Sequence, residues 1–174
     1  MTIVGAADRA GSPEARFNAL FSRHYPAVFG YAARRVGWDE AADAAADVFA
    51  VAWRRLGRVP AEPEALAWLY AVARRVVANH ERAANRRLRL EARVAARTAP
   101  ATADGPDGGN LDVEAALRRL HRADRELLRL AAWEGLQPAE IAVVVGCSPN
   151  AAAVRLHRAR RRLVEEMQGG GFRP

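Results

Sequence analysis

Residues 135–162 read GLQPAEIAVVVGCSPNAAAVRLHRARRR, and this stretch decides the fold of the C-terminal part of the chain. Its apolar run IAVVV predicts a short helix that ends at Gly146, since glycine can adopt the positive φ of a sharp turn. A second helix is expected to begin just after the turn, with Ser148 as N-cap and Pro149 at the first helical position. Two helices joined in this way form a helix-turn-helix, and the alternative is an ordinary basic terminal helix.

The second helix of this motif carries the candidate DNA contacts. A recognition helix enters the major groove of DNA by its N-terminal residues. The side chains that we expect at the duplex are those of Ser148, Asn150, Ala153, Arg155 and Arg158. The side chains that we expect to face the protein interior are those of Val154, Leu156 and Leu163.

The composition of the whole chain favours helices. The 174 residues include 40 Ala and 27 Arg, with no Lys, but only three Thr and two Ile. Because Ala and Arg favour helix and β-branched residues favour strands, we predict an all-α protein. A single cysteine excludes an internal disulfide. The chain has no signal sequence and no apolar run of about 18 residues, so we expect a soluble cytoplasmic protein without membrane insertion.

The charge divides the chain into two basic segments. Residues 14–97 carry 15 Arg against 9 acidic residues, and residues 113–174 carry 11 Arg against 7. The stretch between them contains three Asp, no basic residue, and several Gly and Pro, which is typical of a flexible linker. We therefore predict two small helical domains. The predicted divisions are a disordered tail over 1–13, a first domain over 14–97, a linker over 98–111, a helix-turn-helix domain over 112–168 and a tail over 169–174.

Apolar spacing in the first domain predicts three helices. The first covers residues 17–36 and is expected to kink or restart at Pro26, because proline removes a helical hydrogen bond. The second covers residues 39–56. The third runs from residue 64 to about residue 97.

The third helix of this domain is rich in arginine. Between Arg74 and Arg97 there are eight Arg and two Glu, and five polar residues share one face at spacings of three and four. Arginines in such a row neutralise phosphates, and an asparagine among them can bind a base edge. The alternative is a solvated charged face. The members of the row are Arg75, Asn79, Arg82, Arg86 and Arg89.

The second helix carries acidic residues at every fourth position. Asp39, Asp43 and Asp47 fall on one face, and no basic residue lies between Val36 and Trp53. Like charges at this spacing cost a helix about 0.2–0.5 kcal/mol per pair, so a compensating group is expected. A basic partner protein is one candidate, and the helix dipole, which reaches only the first turn, is the other.

Catalytic chemistry finds no support in the sequence. The four His are scattered without metal-ligand spacing, and there is neither a glycine-rich phosphate loop nor a nucleophile elbow. We therefore expect no catalytic residue, no metal site, no cofactor and no enzymatic activity.

Taken together, residues 14–168 resemble the extracytoplasmic-function (ECF) class of bacterial sigma factors. The stretch 39–53, DEAADAAADVFAVAW, is similar to the family helix that binds the β′ clamp helices of RNA polymerase. The resemblance implies that four residues bind core polymerase: Asp39, Asp43, Asp47 and Phe49. The stretch 67–82, AWLYAVARRVVANHER, is similar to the segment that melts and recognises the −10 element. It implies −10 contacts by Arg75, Asn79, Arg82 and Arg86, with capture of a flipped base by the loop around residues 57–63.

The helix-turn-helix resembles the family element that binds the −35 sequence. Ala151–Ala153 stand where Thr-Val-Lys is typical, so −35 affinity is expected to depend on Arg155 and on phosphate contacts. The resemblance implies a non-enzymatic polymerase subunit that directs promoter-specific initiation. Its implied partners are core RNA polymerase, promoter DNA and an anti-sigma factor, and bound to polymerase it would lie in the nucleoid. The alternative is a polymerase-independent helix-turn-helix regulator that binds duplex DNA as a dimer.

Overall fold

A computed structural model describes residues 12–94 and 111–169 of the chain. Across these two ranges the secondary structure is helical, with no strand, and the predicted all-α class is confirmed. Most of the predicted N-terminal tail, the end of the predicted third helix, all but the last residue of the predicted linker and the last five residues of the chain lie outside the described residues. The helices are α1 (Pro13–Val36), α2 (Trp38–Arg54), α3 (Ala65–Val94), α4 (Leu111–Arg119), α5 (Arg122–Ala132), α6 (Pro138–Val145) and α7 (Pro149–Gly169).

Helix α1 is one continuous element. Its N-terminus is capped by Ser12, whose Oγ accepts a hydrogen bond from Ala15 N at 3.1 Å, and it ends at Gly37 with φ of 86°. The predicted restart at Pro26 is wrong, because the helix runs through that residue. Proline removes only one backbone donor, and side chains buried before and after it, including Leu20 and Val28, hold both halves against the same core.

The first compact unit extends to residue 103 and is built from α1, α2 and α3, which pack against one another. Its innermost side chains include Tyr31 and Leu69, both fully buried. The inner side of α2 is made largely of alanine, and four of these residues have no exposed surface: Ala41, Ala44, Ala45 and Ala52. Such small side chains let the neighbouring helices approach α2 closely.

The second unit, from residue 104, contains α4 to α7. Leu130, Ile141 and Leu156, from three successive helices, are buried in its core. Our expectation that Val154 faces inward is wrong, since that side chain is 41% exposed. The buried face of α7 instead begins at Ala152, four residues before Leu156, as the period of an α-helix requires.

An arginine of α5 caps the end of α4. Arg125 Nε donates to Leu117 O at 2.9 Å, and its Nη2 donates to Arg118 O at 2.7 Å and to Leu120 O at 3.2 Å. The last carbonyls of a helix have no partner within the helix and carry the negative end of its dipole. One guanidinium therefore donates to three main-chain oxygens and ties the start of α5 to the end of α4.

We expect Arg125→Met to lower the free energy of unfolding of the second unit by about 1–3 kcal/mol, because partly buried carbonyls lose charged donors. The measurement is hydrogen–deuterium exchange of α4 and α5 in the full chain across a urea series. Arg119→Met removes an exposed arginine from the last residue of α4, the helix that Arg125 caps. It is expected to change the free energy of unfolding by less than about 0.5 kcal/mol. Equal effects of the two substitutions would contradict the capping role.

Candidate functional site

The outer side of α2 presents the three predicted aspartates together. Asp39, Asp43 and Asp47 are all exposed, and exposed alanines lie between them. We call this surface the acidic face; its members are Asp39, Asp43, Ala46, Asp47 and Ala50. It offers a partner negative charge without bulky side chains in the way.

Part of the compensation for this charge comes from within the protein. His80 of α3 places Nε2 3.0 Å from Asp47 Oδ2 and Nδ1 3.7 Å from Glu40 Oε2. The sequence pointed to an unknown compensating group, and only the packing of α3 beside α2 identifies His80. Asp39 and Asp43, which lie nearer the N-terminus of α2, are exposed.

Phe49 does not belong to the exposed surface of α2. Its side chain is only 2% exposed, and its ring centroid lies 4.8 Å from that of Phe21 and 6.1 Å from that of Tyr25. The prediction that Phe49 binds core polymerase directly is therefore corrected, since the side chain is covered by α1. Its position holds α2 against α1.

Phe49 is one of seven rings that form an aromatic ladder along α1 and α2. Each ring lies 4.8–6.3 Å, centroid to centroid, from at least one other. The ladder consists of Phe17, Phe21, Tyr25, Phe29, Trp38, Phe49 and Trp53. Three members reach the surface, with exposed fractions of 38% for Phe21, 73% for Trp38 and 44% for Trp53. The four-residue spacing of aromatic residues on α1 is the sequence signal for this surface.

The polar row on α3 is exposed as predicted. Arg75, Asn79, Arg82, Arg86 and Arg89 all lie at the surface. Arg82 Nη2 donates to Asn79 Oδ1 at 2.5 Å, and Arg82 Nε donates to Ala78 O at 3.0 Å. These bonds hold Asn79 so that its oxygen is engaged, while its amide protons remain the groups with which it can address a ligand.

The α2–α3 loop, residues 55–64, is anchored to α1. Arg16 Nη2 donates to Val59 O at 2.7 Å, and His24 Nε2 donates to Glu62 Oε1 at 2.5 Å. Within the loop, the side chains of Leu56 and Val59 are buried. The sequence did not single out these anchors, because they join residues 38 and 43 positions apart.

The helix-turn-helix forms as predicted. Helices α6 and α7 meet at an angle of 101°, and Gly146 between them has φ 74° and ψ 50°. Ser148 Oγ accepts from Ala151 N at 3.2 Å and so caps α7. Of the predicted DNA contacts, four are exposed and Ala153 is half-buried; the exposed ones are Ser148, Asn150, Arg155 and Arg158.

Within the residues that the structure describes, no three His, Cys, Asp or Glu side chains come together as metal ligands. No single helix in the same ranges is long and apolar enough to cross a membrane, and the only pair that passes such a test together, α6 with α7, is the bent one described above.

Two protein families match separate parts of the chain. Sigma-70 region 2 matches residues 20–87, and sigma-70 region 4 matches residues 110–163. Among curated proteins, the chain is 34% identical over 164 residues to the RNA polymerase sigma factor CarQ of Myxococcus xanthus. This match covers 90% of this chain and 91% of CarQ. It is 31% identical over 163 residues to the ECF RNA polymerase sigma factor BldN of Streptomyces coelicolor, covering 89% of this chain and 61% of BldN.

Solved structures show the same likeness. CnrH, in complex with the cytosolic domain of CnrY, is 28% identical with a TM-score of 0.60, and the match covers 92% of each chain. The sigma factor RpoE of Bartonella quintana, in complex with the anti-sigma factor NepR, has a TM-score of 0.63 at 24% identity. That match covers 87% of this chain and 96% of RpoE, and it supports the fold.

The geometry separates Phe49 from the acidic face. We expect Phe49→Ala to lower the free energy of unfolding of the first unit by about 3–5 kcal/mol, because it leaves a cavity between α1 and α2. Asp43→Asn, on the exposed side of the same helix, is expected to change it by less than about 0.5 kcal/mol. Urea denaturation followed by tryptophan fluorescence measures both values. A mild effect of Phe49→Ala would argue against its role in packing.

Proposed function

The chain belongs to the ECF sigma factors of the sigma-70 family, and from this premise we propose which of its surfaces performs each part of promoter recognition. It is an RNA polymerase sigma factor that binds core polymerase and directs initiation at promoters with −10 and −35 elements. This membership does not favour a polymerase-independent regulator. Members of the family are non-catalytic specificity subunits, and we propose the same of this chain, acting in the cytoplasm and in the nucleoid when bound to polymerase.

The acidic face of α2 is the proposed docking surface for the β′ clamp helices. Its aspartates are exposed, and the small side chains of Ala46 and Ala50 on the same face leave room for a helix to approach. Asp47 takes part while bonded to His80, so Asp39 and Asp43 are the members with the most freedom to meet basic side chains. The exposed rings of Trp53 and Phe21 border this face and would add apolar contact.

The exposed row of α3 and the α2–α3 loop form the proposed −10 surface. The row supplies guanidinium groups for phosphates, and the held amide of Asn79 can donate to a base edge. The loop adds Arg55 and Arg58, both exposed, close to where α3 begins. In this arrangement the loop takes the flipped base and the row binds the adjoining strand.

The N-terminal turns of α7 are the proposed −35 surface. Ser148, Asn150 and Arg155 are exposed there, while the alanines at 151–153 give little side-chain readout. Arg155 is the one long donor among them that can bind a guanine in bidentate fashion. Arg158 lies one turn along and is suited to a phosphate.

An anti-sigma factor is a further proposed partner. RpoE of Bartonella quintana is found in complex with the anti-sigma factor NepR, and CnrH in complex with the cytosolic domain of CnrY. By analogy we propose that a protein of this kind holds the present chain away from polymerase. The observation that carries the whole proposal is the presence of three separate exposed surfaces, one acidic and two rich in arginine.

We expect Asp43→Arg to weaken binding to core polymerase by about 5- to 20-fold, because a repulsive charge replaces an attractive one. Binding is measured by fluorescence anisotropy of the labelled full chain with core enzyme, and function by run-off transcription from a genomic promoter library. Glu14→Arg, a charge reversal on the exposed start of α1, is the matched control and should leave core affinity unchanged. Equal loss in both variants would contradict docking at the acidic face, and wild-type protein that yields no transcript would contradict the function.

We expect Arg155→Ala to weaken binding of a −35 duplex by about 1–3 kcal/mol, provided that this arginine contacts a guanine edge. Arg160→Ala removes an exposed arginine further along α7, and a smaller loss is expected for it. Mobility-shift titration with wild-type and base-substituted duplexes measures the affinity. If Arg155→Ala leaves the footprint unchanged, the assignment of the recognition helix is incorrect.

A further inference from the structure

The α2–α3 loop is fixed from α1 by side chains that the proposed DNA contacts do not include. Arg16 holds the loop at a main-chain oxygen, that of Val59, and His24 holds it at a side chain, that of Glu62. The two anchors are eight residues apart on α1, so they lie on the same side of that helix. Together they grip the loop at two points three residues apart.

Of the two anchors, His24 gives the stronger evidence for a role in positioning the loop. Its residue is only 5% exposed, although α1 has many exposed positions where a polar side chain could lie in water. A buried imidazole needs a hydrogen-bond partner, and Glu62 supplies it at 2.5 Å. Arg23 approaches the same carboxylate oxygen at 3.5 Å, but its side chain is largely exposed and contributes less.

The side of the loop that faces away from the anchors is open to solvent. Arg58 and Ala61 are exposed, whereas Leu56 and Val59 are buried against the unit. The loop also bonds to itself, from Arg58 N to Arg55 O at 2.7 Å and from Val59 N to Leu56 O at 3.2 Å. Its outer edge therefore has a defined shape before any ligand arrives.

We propose that Arg16 and His24 are positioning residues that set the base preference of the −10 element by fixing the α2–α3 loop from behind. The inference rests on the proposed role of this loop in taking the flipped base. A pocket that distinguishes bases must hold its donors and acceptors to within about 0.5 Å, and such accuracy depends on the groups that support it. Neither residue touches DNA; each acts through Val59 or Glu62.

The test uses holoenzyme reconstituted from core polymerase and full-length variants. Fork-junction DNA is prepared with each of the four bases at every non-template position of the −10 element. At each position the Kd for the most weakly bound base is divided by the Kd for the most tightly bound base, and this ratio measures the base preference. We expect His24→Ala and Glu62→Ala each to reduce this ratio by about 5- to 10-fold, which corresponds to the net free energy of one typical hydrogen bond. His24→Gln, whose amide nitrogen can occupy the place of Nε2, should retain most of the ratio.

Further variants separate positioning from general stability. The double substitution of His24 and Glu62 by alanine should lose no more than either single one, since both remove the same bond. Arg16→Met should reduce the ratio independently. Asn18→Ala, at an exposed position of α1 between the two anchors, is the matched control and should not change it. Affinity for core polymerase and for a −35 duplex should stay at the wild-type value in all of them.

Three results would overturn the inference. An unchanged ratio in folded His24→Ala and Glu62→Ala proteins would show that the anchors do not set the preference. An effect of Glu62→Ala without one of His24→Ala would assign Glu62 to direct DNA contact. A wild-type ratio near one at every position would reject the loop's proposed role itself, and that result is recognised before any variant is measured.

Discussion

The packing of α2 against α1 and α3 is the constraint on which the first unit depends. Alanines on the inner side of α2 allow the helices to approach, and the aromatic ladder fills the remaining space on the α1 side. This packing turns the aspartates outward, places His80 within reach of Asp47, and brings Arg16 and His24 under the α2–α3 loop. The same packed core therefore determines the positions of both the acidic face and the loop.

Arginine serves two purposes in this chain, and the contacts that each side chain makes within the protein distinguish them. Some arginines stabilise the protein itself: Arg125 caps α4, Arg162 pairs with the buried Asp124 at 2.5 Å, and Arg35 lies over the ring of Tyr31 at 3.5 Å. A guanidinium with several donors and a flat face suits all three roles. Others, such as those on the outer side of α3, remain exposed and form the row that we propose for nucleic acid. The overall charge of +7 does not reveal this division.

Much of the fold could be predicted from local signals. The caps of α7, the glycine before it and the spacing of the aspartates all follow from residues close in sequence, and the structure has them where expected. The functional groups that the sequence misassigned or missed share a cause, namely contacts between distant residues. Phe49 lies in the motif that resembles a polymerase-binding helix, yet rings from α1 cover it. The partner of Asp47 and the anchors of the loop are likewise separated from their targets by 33 residues or more, so no local pattern identifies them.

The alanines of the acidic face have a consequence for how tightly this surface can hold a partner. Alanine has no rotamers to lose, and aspartate has few, so covering the face costs little side-chain entropy. The same alanines bury little apolar area, so the gain from the hydrophobic effect is also small. A surface with a low ordering cost and a modest gain favours rapid exchange over permanent attachment. That balance suits a surface that binds its partner reversibly.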